Sequence, residues 1–270
     1  MNAFAQHFIF EFRTGVRNKQ LLLMNYLFPL GFYVLIGLIM PKINPLFLDN
    51  LIPALVVFSI LSATLLGIPD SLVNARESGI YRSYKINGIP ATTILLIPVL
   101  TTLLHLFIVS AIITITAPIF FDAPMPTNWF GFILVFFVMA IACAGISVLI
   151  GVVSSSSRMT VLWSQIFFVP CMLLGGMMIP YNMLPEIAGK VAQLLPATHA
   201  MNAFTGLAMG RMADFSTWGS MIILLSAGLL AFELALFLFS WDSRNTKRRG
   251  TVWLAFLILL PNIIGVFFLV

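Results

Sequence analysis

The sequence predicts an all-α, polytopic membrane helix bundle, and three observations lead there. Of 270 residues, 60% are hydrophobic and only 9% are charged, whereas a soluble domain carries about 25% charged residues. Apolar runs of about 18 residues or more recur, each long enough to cross about 30 Å of hydrocarbon as a helix. Strand-sized segments of alternating polarity are absent, which excludes a β-barrel, and no aqueous stretch is long enough for a separate soluble domain.

In order, residues 2–20 place Phe4, Phe8, Ile9, Phe12 and Val16 on one helical arc and Gln6, His7, Arg13 and Arg17 on the other, with Phe10 the exception. This pattern predicts an N-terminal interfacial helix lying in the membrane surface; a plain polar lead-in is the alternative. A full-length span follows it, which argues against a cleavable signal. Six core spans are expected at about 21–40, 51–68, 92–118, 129–153, 161–179 and 218–241. Pro29 and Gly31 interrupt the first, and Pro69-Asp70 is the expected end of the second. The segment from Pro180 to Thr217 is too apolar for an ordinary outer loop and too short-winded to span. It predicts a re-entrant outer helical pair, 186–195 and 198–210, separated by Pro196. A seventh apolar run, 252–270, barely long enough to cross and broken by Pro261-Asn262, is expected to form a seventh, C-terminal span.

Between spans two and three lies a polar island, 70–90, with Asp70, Arg76, Glu77, Tyr81, Arg82, Tyr84 and Lys85. Charge sidedness predicts where it sits. With the N-terminus cytoplasmic, the short inner segments hold all the Lys and Arg residues except Lys42, Lys190 and Arg211, as the positive-inside rule requires. The net charge of +5 therefore reflects orientation against a lipid bilayer and gives no reason to invoke nucleic acid. Cys143 and Cys171 both fall within apolar runs and read as small buried thiols.

Three segments together resemble the ABC type 2 exporter permeases. One is Arg17-Asn18-Lys19 ahead of a span containing Pro29. The second is Arg76-Glu77-Ser78-Gly79-Ile80-Tyr81-Arg82 with Pro90 downstream. The third is Gly175-Gly176 through Pro180, then Leu184-Pro185 and Leu194-Leu195-Pro196-Ala197-Thr198. The resemblance covers about 5–245, so a permease domain is expected over 1–250, with 251–270 an extra hydrophobic segment that departs from the family pattern. It implies a permease in the plasma membrane of a bacterium, paired with a second permease chain, identical or paralogous, and driven by two copies of an ABC ATPase subunit. The drug- and antibiotic-export branch is the nearest match. ATP and Mg would bind the ATPase, since this chain has no GxxxxGK[ST] loop and no cofactor of its own.

On this reading Arg76, Glu77, Ser78, Gly79, Ile80, Tyr81, Arg82 and Tyr84 form an ATPase-coupling helix around 75–85. Gly79 allows a bend, and Ile80, Tyr81 and Tyr84 form a docking surface, since tyrosine joins apolar area to a polar tip. The bland alternative is a solvated loop whose bases only set topology. Gly175, Gly176, Pro180, Pro185 and Pro196 shape the re-entrant region. His105 and Glu233 are intramembrane polar residues, and such groups usually face protein or water. They read as a polar lining, as helix-packing hydrogen bonds, or as the proton-handling groups of an ion-coupled secondary transporter. Clustered His/Cys ligands and hydrolase motifs are absent from the sequence, so no metal site and no enzyme activity are expected.

Overall fold

The computed structural model describes residues 8–9, 12–13, 19–241 and 251–268. Most of the expected interfacial helix and the basic stretch 242–250 lie outside these residues. Every regular element among the described residues is helical, because a chain in lipid must satisfy its backbone within each segment.

The first span is α1 (Lys19–Leu22), a π-helical turn (Leu23–Leu27) and α2 (Phe28–Ile43). Then come α3 (Leu51–Glu77), α4 (Ile80–Ile86), α5 (Ala91–Phe121), α6 (Trp129–Val153) and α7 (Ser157–Leu174). After them come α8 (Glu186–Ala192), α9 (Pro196–Ala203) continued by a π-helical turn (Phe204–Ala208), and α10 (Thr217–Leu238). A 3-10 stretch (Val252–Leu259) and α11 (Leu260–Phe268) close the described chain. Six helices have the length and composition of a membrane span: Leu23–Ile43, Phe47–Glu77, Ala91–Phe121, Trp129–Val153, Ser157–Leu174 and Thr217–Leu238.

α3 is the central post. Every residue from Leu51 to Leu65 is buried, and the helix packs against α2, α5, α6 and α7. Its other neighbour set is built on α6, which lies along α10 so closely that backbones touch. A Cβ on Gly145 would come within 2.3 Å of the Gly228 carbonyl oxygen, and one on Gly228 within 2.5 Å of Ala142 Cα. Small residues permit this approach in the absence of a hydrophobic drive between helices.

Four sequence-based boundaries change. α3 runs 27 residues and passes straight through Pro69. Proline removes one backbone bond, and a membrane helix absorbs that loss when its neighbours cover the freed carbonyl. At 1.5 Å per residue α3 is about 40 Å long, so it outruns the hydrocarbon and carries Arg76 and Glu77 on its last turn. Second, the fifth span stops at Leu174 instead of Ile179. Gly176 takes φ +82° there, and a Cβ on Gly175 would collide with Ala197 of α9 at 2.5 Å. Third, Pro196 does not separate two helices but starts α9, in the first-turn position where its missing N–H is harmless. Fourth, the last apolar run forms a shorter helix, Trp253–Phe267, laid against α10 and α6, with Phe256 beside Trp163 of α7 at 6.2 Å.

Of the pair, α9 is held inside protein, whereas α8 is mostly exposed, with only Gly189 and Ala192 buried. Pro196 to Phe204 are all buried, and α9 packs on α10, α6, α3 and α7. Its polar groups find partners locally. Thr198 Oγ1 donates to the Ala192 carbonyl (2.5 Å), His199 Nε2 to the Gln193 carbonyl (2.8 Å) and Gln193 Nε2 to the Tyr181 hydroxyl (2.7 Å). Asn202 brackets Phe215, giving Nδ2 to its carbonyl (2.9 Å) and taking its N–H on Oδ1 (3.2 Å).

Candidate functional site

The polar island folds as two helices with a hinge. α3 ends at Glu77; Ser78 closes it by donating its hydroxyl to the Asn74 (2.8 Å) and Ala75 (3.2 Å) carbonyls. Gly79 then adopts φ +79°, a left-handed conformation that L side chains reach only at a cost of about 1–2 kcal/mol. α4 starts at once, its Arg82 N–H bonding the Gly79 carbonyl at 3.0 Å. The expected helix around 75–85 is thus split, with Arg76 and Glu77 on α3 and the rest on α4.

The inner side of this unit is bolted to the turn joining α6 and α7. Arg76 is buried, 5% exposed. Its guanidinium donates to the carbonyl of Val152 at 3.0 Å and to that of Ser154. These are carbonyls at the C-terminal end of α6, where a cation also meets the negative end of the helix dipole. Two residues away, Asn74 accepts a bond from the Ser157 hydroxyl (2.9 Å) at the first position of α7 and donates to Asp70 (2.9 Å). The chain separation across these bonds is 76 to 83 residues.

Tyr81 differs from expectation. It is 3% exposed and its ring lies 5.6 Å from that of Phe239, just past α10. Its position, three before the half-buried Tyr84, puts both on the inner face of α4, where apolar ring area is covered by the chain itself. Tyr81 therefore ties α4 to α10 and is not docking surface. The outer face carries Glu77, Ser78, Ile80, Arg82, Lys85 and Ile86, all exposed, with Ile80 at 43% and Ile86 at 86%. Two exposed isoleucines thus stand among exposed charges of both signs.

His105 and Glu233 are not brought together. His105, buried on α5, bonds the Tyr26 hydroxyl through Nδ1 at 2.7 Å, and its ring stacks on Phe12 at 4.8 Å. Tyr26 lies in the π-helical turn of the first span, a distortion often found at functional positions. Glu233 is exposed on α10 and makes no hydrogen bond or ion pair among the described residues. Of the other expected residues, Gly175 and Gly176 end α7, Pro180 precedes a 3-10 turn (Tyr181–Met183), Pro185 precedes α8, and Pro196 opens α9.

Sequence reasoning missed Asn74, Ser154 and Ser157 as partners of the hinge, and Asn25 and Tyr26 in the π turn. Asn25 is 4% exposed, with its Oδ1 unbonded. Its signal was present, since it is the sole amide within the first apolar run. The cleft between the first span, α3 and α7 also escaped notice; about 370 Å³ in volume, it is lined by Met24, Asp70, Arg158 and Gln165 among others.

Comparison with known proteins then supplies the family. The chain is 21% identical over 239 residues to "Putative transport permease YvfS" of Bacillus subtilis (strain 168), a match covering 87% of this chain and 96% of that protein. No solved structure matches. Residues 3–209 match the family described as ABC-2 type transporter. With about three-quarters of its length matched and six apolar helices of spanning length, the chain belongs to the ABC-2 type transporter family, as a transport permease.

Proposed function

We propose that this permease is the membrane subunit of an ATP-driven exporter, and that a separate ABC ATPase grips it on the outer face of the 77–86 unit. One observation carries the reading: the same unit is exposed on one side and bolted to the bundle on the other. Glu77, Ile80, Arg82 and Ile86 face out, while Arg76, Asn74 and Tyr81 engage the α6–α7 turn and the end of α10. A load applied to α4 therefore reaches the end of α10 through Tyr81 and, across the Gly79 hinge, the last turn of α3, whose Arg76 and Asn74 hold the α6–α7 turn.

On this reading the 77–86 unit is cytoplasmic, and the N-terminus with it, as the distribution of basic residues favours. The membrane is the plasma membrane of a bacterium. ATP and Mg bind the ATPase, present in two copies, and this chain pairs with a second permease, identical or paralogous, to enclose the path. The low burial of the first span and of α7 within one chain supports a face covered by another subunit. The substrate is amphipathic, of the drug, antibiotic or lipid type. The ion-coupled alternative has less support, since His105 is engaged with Tyr26 and Glu233 makes no hydrogen bond or ion pair among the described residues.

The test is Glu77→Arg in the reconstituted complex of permease and ATPase, reading substrate exported per ATP hydrolysed. Glu77 is exposed at the end of α3, so the variant inserts and folds normally. The expected result is at least a tenfold loss of export per ATP. Wild-type coupling in this variant, together with repeated purification from native membranes without any ATPase, overturns the reading.

A further inference from the structure

At the end of the bundle opposite the 77–86 unit lies a cleft of about 310 Å³, the size at which pockets begin to hold small organic molecules. Four segments meet there: the loop before α3, the glycine turn after α7, α9, and the loop before α10. Phe47, Met177, Tyr181, Met201 and Phe215 form its apolar walls. Thioethers and aromatic rings make such walls adaptable and polarisable.

Its polar groups are unevenly satisfied. Arg211 gives one nitrogen to the Asp49 carbonyl (2.8 Å) and the other to the Asp49 carboxylate (2.9 Å). Asn202, Thr198 and Thr205 also direct their donors to protein acceptors. What is left over is acceptor capacity. Asn50 stands at the N-cap of α3 but makes no capping bond; Asn50 Oδ1 would ordinarily accept from an N–H two or three positions on, and the third residue here is Pro53, which has none. That oxygen is buried without a partner. Asp214, also lining the cleft, makes no hydrogen bond or ion pair among the described residues. Asp49 and Arg211 neutralise each other, so the cleft carries one uncompensated negative charge. Partial burial pushes the Asp214 carboxyl above its ordinary range, which a cation beside it would reverse.

We propose that this cleft is a binding site for amphipathic organic ammonium ions, with the N–H groups on Asp214 and Asn50 and the apolar body against Met177, Met201 and the Tyr181 and Phe215 rings. An N–H-bearing cation meets the unpaired charge of Asp214, Asn50 Oδ1 is a second unpartnered acceptor in the lining, and the rings add cation–π attraction. A neutral apolar molecule leaves the acceptors unmet, and an anion meets Asp214. Two firmly held loops make the site preformed: Asn202 fixes Phe215, and Arg211 fixes Asp49.

The experiment uses the full chain in nanodiscs of phosphatidylcholine, without nucleotide or ATPase, titrated with dansylcadaverine, a primary ammonium on a fluorescent apolar body. Empty nanodiscs give the partition background. The expected result is a saturable fluorescence rise above that background, weakened about tenfold by Asp214→Asn and severalfold by Asn50→Ala. The N-acetylated probe, which keeps the body and lacks the charge, binds about tenfold more weakly to the wild type. No saturable signal, or equal affinity for the charged and acetylated probes, overturns the site. So does equal affinity in wild type and both variants, which leaves lipid partition as the source of the signal. Because nothing here depends on ATP, a negative result does not touch the coupling reading.

Discussion

Replacing Arg76 by methionine keeps the apolar stem of the side chain and deletes both of its bonds to the α6 terminus. Hydrogen bonds to a charged group are worth about 1.5–3 kcal/mol each. Two such bonds, to Val152 and Ser154, and the attraction to the helix C-terminus of about 0.3–1 kcal/mol, give about 3–5 kcal/mol, discounting for overlap. At about 1.4 kcal/mol per factor of ten, the α3–α6 joint opens roughly a hundred to a few thousand times more often. Arg76→Lys keeps a charge but not the fork that reaches two carbonyls, so it recovers about half of the loss.

Two measurements separate the roles of this residue. Equilibrium unfolding of the purified permease reads the stability change, expected at about 3 kcal/mol for Arg76→Met. Substrate moved per ATP, measured at a temperature where the variant remains folded, reads transmission. The slack joint lowers this ratio, with Arg76→Lys in between, while ATP hydrolysis itself continues. A variant as stable as wild type refutes the strength assigned to the bolt. A variant that loses stability but moves the same substrate per ATP shows that Arg76 only holds the fold, and refutes transmission through it.

Two other outcomes follow from the packing. Gly145→Leu forces side chain into the Gly228 backbone, 2.3 Å from where a Cβ would stand; the α6–α10 contact separates and the variant loses more than about 3 kcal/mol, read as a fall in folded yield and thermal midpoint. His199 is held neutral, its pKa lowered to about 4 by burial. A base whose folded pKa lies below its unfolded value near 6.5 binds protons preferentially when unfolded, so stability is intact above about pH 6.5 and lost as pH falls toward 4. From pH 7 to pH 5 the loss is about 2 kcal/mol, seen as a falling thermal midpoint. His199→Gln, which retains a donor for the Gln193 carbonyl, flattens that dependence; an unchanged pH profile in the variant shows that other groups set it.

What the sequence showed and what it hid divide along the range of the interactions. Spans are legible because transfer from water to lipid depends on residues read one after another, and the 27 residues of α3 hold few charges to interrupt the count. The break at Gly79 is legible because a left-handed residue is a local property. Arg76 reads locally as one more loop base, because nothing within ten residues announces that two carbonyls at the end of α6 await it. Tyr81 fails for the same reason: an aromatic beside charges looks like surface until Phe239, far along the chain, covers it. These long-range contacts turn a polar island into a lever. Pro69, the local signal that seemed to end the second span, sits inside a helix that continues from the buried core to the exposed Glu77. Gly79 lets α4 bend against α3, so movement of α4 is passed on only where side chains bridge the joint. Tyr81 carries it to the end of α10, and Arg76 and Asn74 on the last turn of α3 carry what crosses the hinge to the α6–α7 turn; α6 and α10 meet at Gly145 and Gly228, where there is no slack to take it up.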